Sequence, residues 1–125
     1  MNQKELKKTV VIGASPNPSR YSHTAVWQLV GIGIPVVAVG IKKQMIGDVE
    51  IQTGFPDVED VNTITLYIGP SKQPQYYDYI LNRLKPERII FNPGSENEEL
   101  EELAIQKNIK VLKNCTLVMI SNGTY

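Results

Sequence analysis

Two short runs of β-branched apolar residues, Thr9-Val10-Val11-Ile12 and Pro35-Val36-Val37-Ala38-Val39, constrain most what this chain can fold into. Neither alternates with polar residues, which is the pattern of strands covered on both faces in a parallel sheet. Between them, Ala25, Val26, Leu29 and Val30 recur at helical spacing within Tyr21–Ile32, and Gly31 and Gly33 punctuate the end. Strand, helix and strand within roughly thirty residues make a βαβ unit, with a right-handed crossover expected.

The alternation continues. Thr63–Ile68 reads as a further strand, stopped by Gly69-Pro70. Gln73–Lys85 reads as a helix with Tyr76, Tyr77, Ile80, Leu81 and Leu84 on one face, ended by Pro86. Arg88–Phe91 is a strand, Glu98–Lys107 a helix carrying Leu100, Leu103 and Ala104 inward, and Lys110–Leu112 an edge strand. Leu117–Ile120 is an apolar segment expected to lie against the domain. Within Met45–Val61 we expect a small strand at Val49–Ile51 and a helical turn near Asp57–Val61. The sequence thus predicts one α/β domain over residues 1–125. Its mainly parallel, doubly wound sheet has the order 3-2-1-4-5 and helices on both faces.

Charge and cysteine usage narrow the function. Thirteen basic residues balance thirteen acidic ones, so neither nucleic acid nor an anionic membrane is an expected partner. The single cysteine, Cys115, excludes an internal disulfide framework. Met1–Lys8 is polar and no apolar run approaches a membrane span, so a cytoplasmic protein is expected. A homodimer or an unidentified protein partner is an expectation drawn from small α/β domains generally, and no residue specifies an interface.

In a doubly wound sheet, ligands bind beyond the carboxyl ends of the strands. That rule selects four loops: Gly13–Tyr21, Gly40–Gln44, Gly69–Lys72 and Asn92–Asn97. In the first, Gly13 permits a sharp turn, while small Ala14 and Ser15 let an anion approach main-chain N–H groups. Ser15, Asn17, Ser19 and Ser22 offer side-chain donors, Arg20 offers a phosphate fork, and a helix N-terminus follows. The glycine spacing matches neither the dinucleotide fingerprint nor the P-loop, since Ser15 and Pro18 stand where glycines are required. The second loop, Gly40-Ile41-Lys42-Lys43, carries lysines where NAD-binding folds place an acid. In the third, Gly69 admits a flat ligand and Ser71 or Lys72 can reach phosphate. In the fourth, Asn97 caps a helix whose acidic first turns, Glu98 to Glu102, read as a solvated face.

A catalytic constellation is missing. His23, the one histidine, sits at the start of the first helix and reads as a ligand contact or cap, and Cys115 as a packing residue.

The stretch Gly13-Ala14-Ser15-Pro16-Asn17-Pro18-Ser19-Arg20, together with Asn92-Pro93-Gly94-Ser95-Glu96-Asn97-Glu98-Glu99, resembles the small stand-alone CoA-binding proteins. These are similar to the CoA-binding domain of the succinyl-CoA synthetase α subunit. The resemblance runs from Lys8 to about Ile120. It departs at Ala38-Val39-Gly40-Ile41, where the family typically has Pro-Val-Asn-Pro. It implies a Rossmann-like fold that binds coenzyme A or acyl-CoA by its ADP portion. Pyrophosphate is then expected over Gly13–Ser15 and the first helix. Adenosine is expected between the Gly40–Lys42 and Ile68–Pro70 loops. The expected cofactor-binding residues are Gly13, Ala14, Ser15, Asn17, Ser19, Arg20, Ser22, Val39, Gly40, Lys42, Ile68, Gly69, Pro70 and Asn92. No catalytic or metal-binding residue is expected. The competing readings are a small NADP-linked reductase, an acyl-transfer component, and a regulatory module that senses nucleotide.

Overall fold

A computed structural model describes residues 2–125. Seven strands form one sheet, β1 (Thr9–Ile12), β2 (Val36–Val39), β3 (Met45–Ile46), β4 (Val49–Gln52), β5 (Thr63–Leu66), β6 (Arg88–Phe91) and β7 (Lys110–Lys113). Their order is β3-β4-β2-β1-β5-β6-β7, and all neighbours are parallel except the β3–β4 hairpin. The α/β class is as expected, but the order differs in detail from the five-strand expectation, because β3 and β7 extend the two edges.

Strand alternation splits the core into two layers. Val10, Ile12, Ile64, Leu66, Ile89 and Phe91 face one side and pack against Ile80, Leu84, Leu100 and Ala104. Val11, Ala38, Ile51 and Ile90 face the other and pack against Val26, Leu29, Met119 and Tyr125. The first layer is covered by α2 (Glu98–Gln106) and a helical segment ending at Leu84. The second is covered by α1 (Tyr21–Gly31) and α3 (Thr116–Ser121). The apolar Leu117–Ile120 run is thus the body of a helix.

α1 stops where its glycines indicate. Gly33, at φ +85°, closes the helix with its N–H on the Val30 carbonyl, and Ile34 N–H reaches back to Leu29.

Two expectations fail. Gln73–Lys85 is not one regular helix. Pro70–Lys72 and Pro74–Tyr76 are single 3₁₀ turns, each with proline in its first turn, and Tyr79–Leu84 is π-helical. The wider π turn puts Tyr79 on the buried face beside Ile80, a position the 3.6-residue period does not give it. Nor does Asp57–Val61 form a helical turn. That segment is irregular, and side-chain bonds tie its first residue and the two before it to the π-helical segment. Tyr79 O–H donates to the Pro56 carbonyl (2.5 Å), and Arg83 donates to the Phe55 carbonyl (3.1 Å) and the Asp57 carboxylate (2.6 Å).

Candidate functional site

Register decides where the loops meet. Ile12 is paired with both Val39 and Leu66, and Leu66 with Phe91. Four parallel strands therefore end level, and Gly13, Gly40, Tyr67 and Asn92 begin four loops along one edge of the sheet. The loop after β1 leads to α1 on one face, while the loop after β5 leads to the helical segment on the other. A crevice opens between two such diverging loops. Here it is a cleft of about 570 Å³, within the usual range for small-molecule sites.

Ten of the residues expected to bind the cofactor line this cleft. They are Gly13, Ala14, Ser15, Asn17, Arg20 and Ser22 from the first loop and helix start, Gly40 and Lys42 from the second, and Ile68 and Gly69 from the third. Ser19, Val39, Pro70 and Asn92 do not line it. Val39 lies just behind, where its carbonyl accepts from both Gly13 N–H (2.9 Å) and Ala14 N–H (3.0 Å). These two amides are consequently spent within the protein. Asn92 is buried beneath the cleft. Its amide N–H groups donate to Thr65 Oγ1 (2.6 Å) and the Leu66 carbonyl (2.9 Å), and its Oδ1 accepts from Thr116 N–H (2.8 Å).

The remaining donors of the first loop can be counted. Pro16 and Pro18 have no N–H. Asn17 N–H goes to Ser15 Oγ, Ser19 N–H to Asn17 Oδ1, and Arg20 N–H to the Asn17 carbonyl. Among the described residues, nothing accepts from the N–H of Ser15, Tyr21 or Ser22. Arg20, the residue preceding α1, makes no side-chain cap, so the first turn of an eleven-residue helix is open toward the cleft. The charged residues of the lining are Arg20, Lys42 and Lys72, with no carboxylate among them. Open N–H groups and uncompensated cations suit an anionic, phosphate-bearing ligand.

Further lining residues come from loops that the sequence selected but lie outside the expected set of contacts. They are the almost fully exposed Ile41 of the second loop and Pro93, Gly94 and Ser95 of the fourth. Tyr67 forms part of the floor. Its hydroxyl is buried and has no hydrogen-bond partner among the described residues, while the nearby Thr65 and Thr116 hydroxyls bond each other at 2.8 Å. Burial pushes the Tyr67 phenol up to about 12, against the opposing pull of those hydroxyls. Strand alternation could have flagged Tyr67, since it shares the Thr65 face of β5. Cys115 lies outside the cleft, partly buried, immediately before α3. No cluster of metal-ligating side chains occurs among the described residues, and no helix is long and apolar enough to cross a membrane.

A search of curated proteins finds no match. A solved structure of an uncharacterized protein is 46% identical, with a TM-score of 0.92 over 95% of this chain and 98% of that one. A hypothetical protein from Pyrococcus horikoshii OT3 (17% identity, TM-score 0.83, 98% and 92% covered) shares the fold. So does a protein from Thermus thermophilus (22% identity, TM-score 0.81, all of both chains covered). The family model described as a CoA binding domain matches residues 7–121, which span every strand and all of α3, and the chain therefore belongs to that family.

Proposed function

We propose that this protein is a module that binds coenzyme A or an acyl-CoA through its ADP portion and performs no chemistry of its own. The observation that carries this reading is the convergence of open N–H groups and cations, with no acid, on one cleft. The pyrophosphate is assigned to Ser15 N–H and the first turn of α1, and Arg20 to its outer oxygens. Lys42 and Lys72 are assigned to the remaining phosphate charge, and the adenosine to the gap between Gly40–Lys42 and Ile68–Gly69. Gly40 lets the second loop approach the first beside this gap, because a Cβ there would meet the Ala14 carbonyl and Ile51 Cγ2.

Calorimetric titration with CoA, beside NAD and NADP and after removal of co-purified nucleotide, tests the proposal. CoA should bind selectively, and Arg20→Gln should weaken it by about tenfold, the worth of one charge-assisted hydrogen bond. Selective NADP binding would move the assignment to an NADP-linked reductase. Silence from all three nucleotides overturns it.

A further inference from the structure

His23 is the one histidine of the chain and Trp27 the one tryptophan. Four residues apart on α1, they share a helix face. Trp27 Nε1–H donates to His23 Nε2 at 3.1 Å, and His23 Nδ1 lies 3.0 Å from the Ser15 carbonyl oxygen. An indole N–H only donates and a carbonyl only accepts. This pair of contacts calls for the tautomer with its proton on Nδ1, donated to the Ser15 carbonyl. Trp27 is itself held in place. A Cβ on Gly47 would lie 2.8 Å from its Cη2, so the indole fills the space that a side chain in the β3–β4 turn would occupy. A continuous line of contacts thus runs from the hairpin through indole and imidazole to the phosphate-facing loop.

The Ser15 carbonyl matters because proline is the next residue. Pro16 leaves the Ser15–Pro16 peptide with an acceptor and no donor. Rotated toward the cleft, that oxygen would oppose any anion beside the open N–H of Ser15. Ser15 lines the cleft and His23 does not, so the bond to His23 ties the Ser15 carbonyl to a group outside the lining. We propose that His23 is a positioning residue for phosphate binding: it holds the Ser15 carbonyl out of the site, and Trp27 selects the tautomer that can do so. This rests on the CoA reading above and adds to it a residue that touches no ligand.

Nitrogen-15 spectra of the ligand-free protein, above the usual histidine titration range, distinguish the two neutral tautomers, and a single histidine needs no assignment. The Nδ1–H form is expected. Trp27→Phe, which stays aromatic but has no N–H, should yield a mixture. His23→Ala should weaken CoA binding by about tenfold, the upper worth of a neutral hydrogen bond. His23→Asn, whose amide can donate to the same carbonyl, should recover most of that loss. An Nε2–H tautomer in the unmodified protein overturns the proposal. So does undiminished CoA affinity in His23→Ala, or a loss in both variants that only follows their thermal stability. An unmodified protein that binds no CoA brings down the functional reading, and the proposal with it.

Discussion

Gly40 and Ala14 meet backbone to backbone, so closely that a Cβ on Gly40 would lie 2.3 Å from the Ala14 carbonyl oxygen. Val39, one residue earlier, takes both the Gly13 and Ala14 N–H groups. The end of β2 and the phosphate-facing loop are therefore interlocked. Glycine stands where the family pattern leads one to expect asparagine, and the bare backbone is what lets the loop come this near.

Gly40→Ala should consequently destabilise the fold by about 1–3 kcal/mol, the ordinary cost of overpacking a site whose neighbour is main chain. Gly69→Ala is the control. Gly69 has φ −68° and nothing within 4 Å of the position an added methyl would take, so its change should stay within about 0.5 kcal/mol. Urea unfolding of the two variants side by side decides the matter. Equal stabilities would mean that the Ala14 approach is not a constraint.

Asn92 carries three buried hydrogen bonds that join β5, β6 and the start of α3. Asn92→Ala leaves the Thr116 N–H and the Leu66 carbonyl without these partners in a dry setting. We expect a loss of about 2–4 kcal/mol, read from denaturant midpoints, with CoA affinity falling only as the fold loosens. A large affinity loss in a fully folded Asn92→Ala protein would instead place this side chain at the ligand.

Asn92 also shows how far the sequence could be read. Every strand but the two-residue β3 was legible, and so were the four loops, because uninterrupted apolar runs mark buried parallel strands whose carboxyl ends carry ligand loops. The direction of each side chain was not. Asn92 follows Phe91, so alternation turns it from the Phe91 layer toward α3, where Thr65 and Thr116 consume its amide. Position alone makes Gly13 and Ala14 look like phosphate donors, although a neighbouring strand end already claims their N–H groups. The π-helical stretch was invisible for another reason: Pro70 and Pro74 favour local 3₁₀ turns, but no residue spacing marks the widening at Tyr79–Leu84, whose Tyr79 and Arg83 are bonded to the distant Phe55–Asp57 segment.

Tyr67 and Tyr79 give the protein an alkaline limit. Burial raises both phenols from 10 to about 12. Between these values the unfolded chain has shed protons that the folded one retains, so stability falls as pH rises from 10 toward 12. Tyr67→Phe should flatten that decline. It also removes an unpartnered buried hydroxyl, so at neutral pH the variant should be as stable as the parent or more so by about 1 kcal/mol. Thermal unfolding across the alkaline range checks both effects, and an unchanged slope would remove Tyr67 as a contributor.

Asn97 has two duties that separate variants can resolve. As the cap of α2, its Oδ1 accepts from Glu99 N–H (3.1 Å) and Leu100 N–H (3.3 Å). Its amide N–H groups donate to Gln73 Oε1 (2.9 Å) and the Tyr77 hydroxyl (2.8 Å). Gln73, fully buried, passes the connection on to the carbonyls of Ile68 (2.9 Å) and Ser95 (2.7 Å), which binds the third and fourth loops into one wall of the cleft. Asn97→Ser keeps a capping oxygen and gives up the bridge, while Asn97→Ala gives up both. We expect Asn97→Ala to cost about 1 kcal/mol more than Asn97→Ser, the worth of the cap. In a double-mutant cycle with Gln73→Ala, Asn97→Ala should show a coupling of about 1 kcal/mol, because two residues sharing one network do not contribute independently. Additive losses would mean that the Asn97–Gln73 bond contributes nothing, and that Gln73 joins the two loops only through the Ile68 and Ser95 carbonyls.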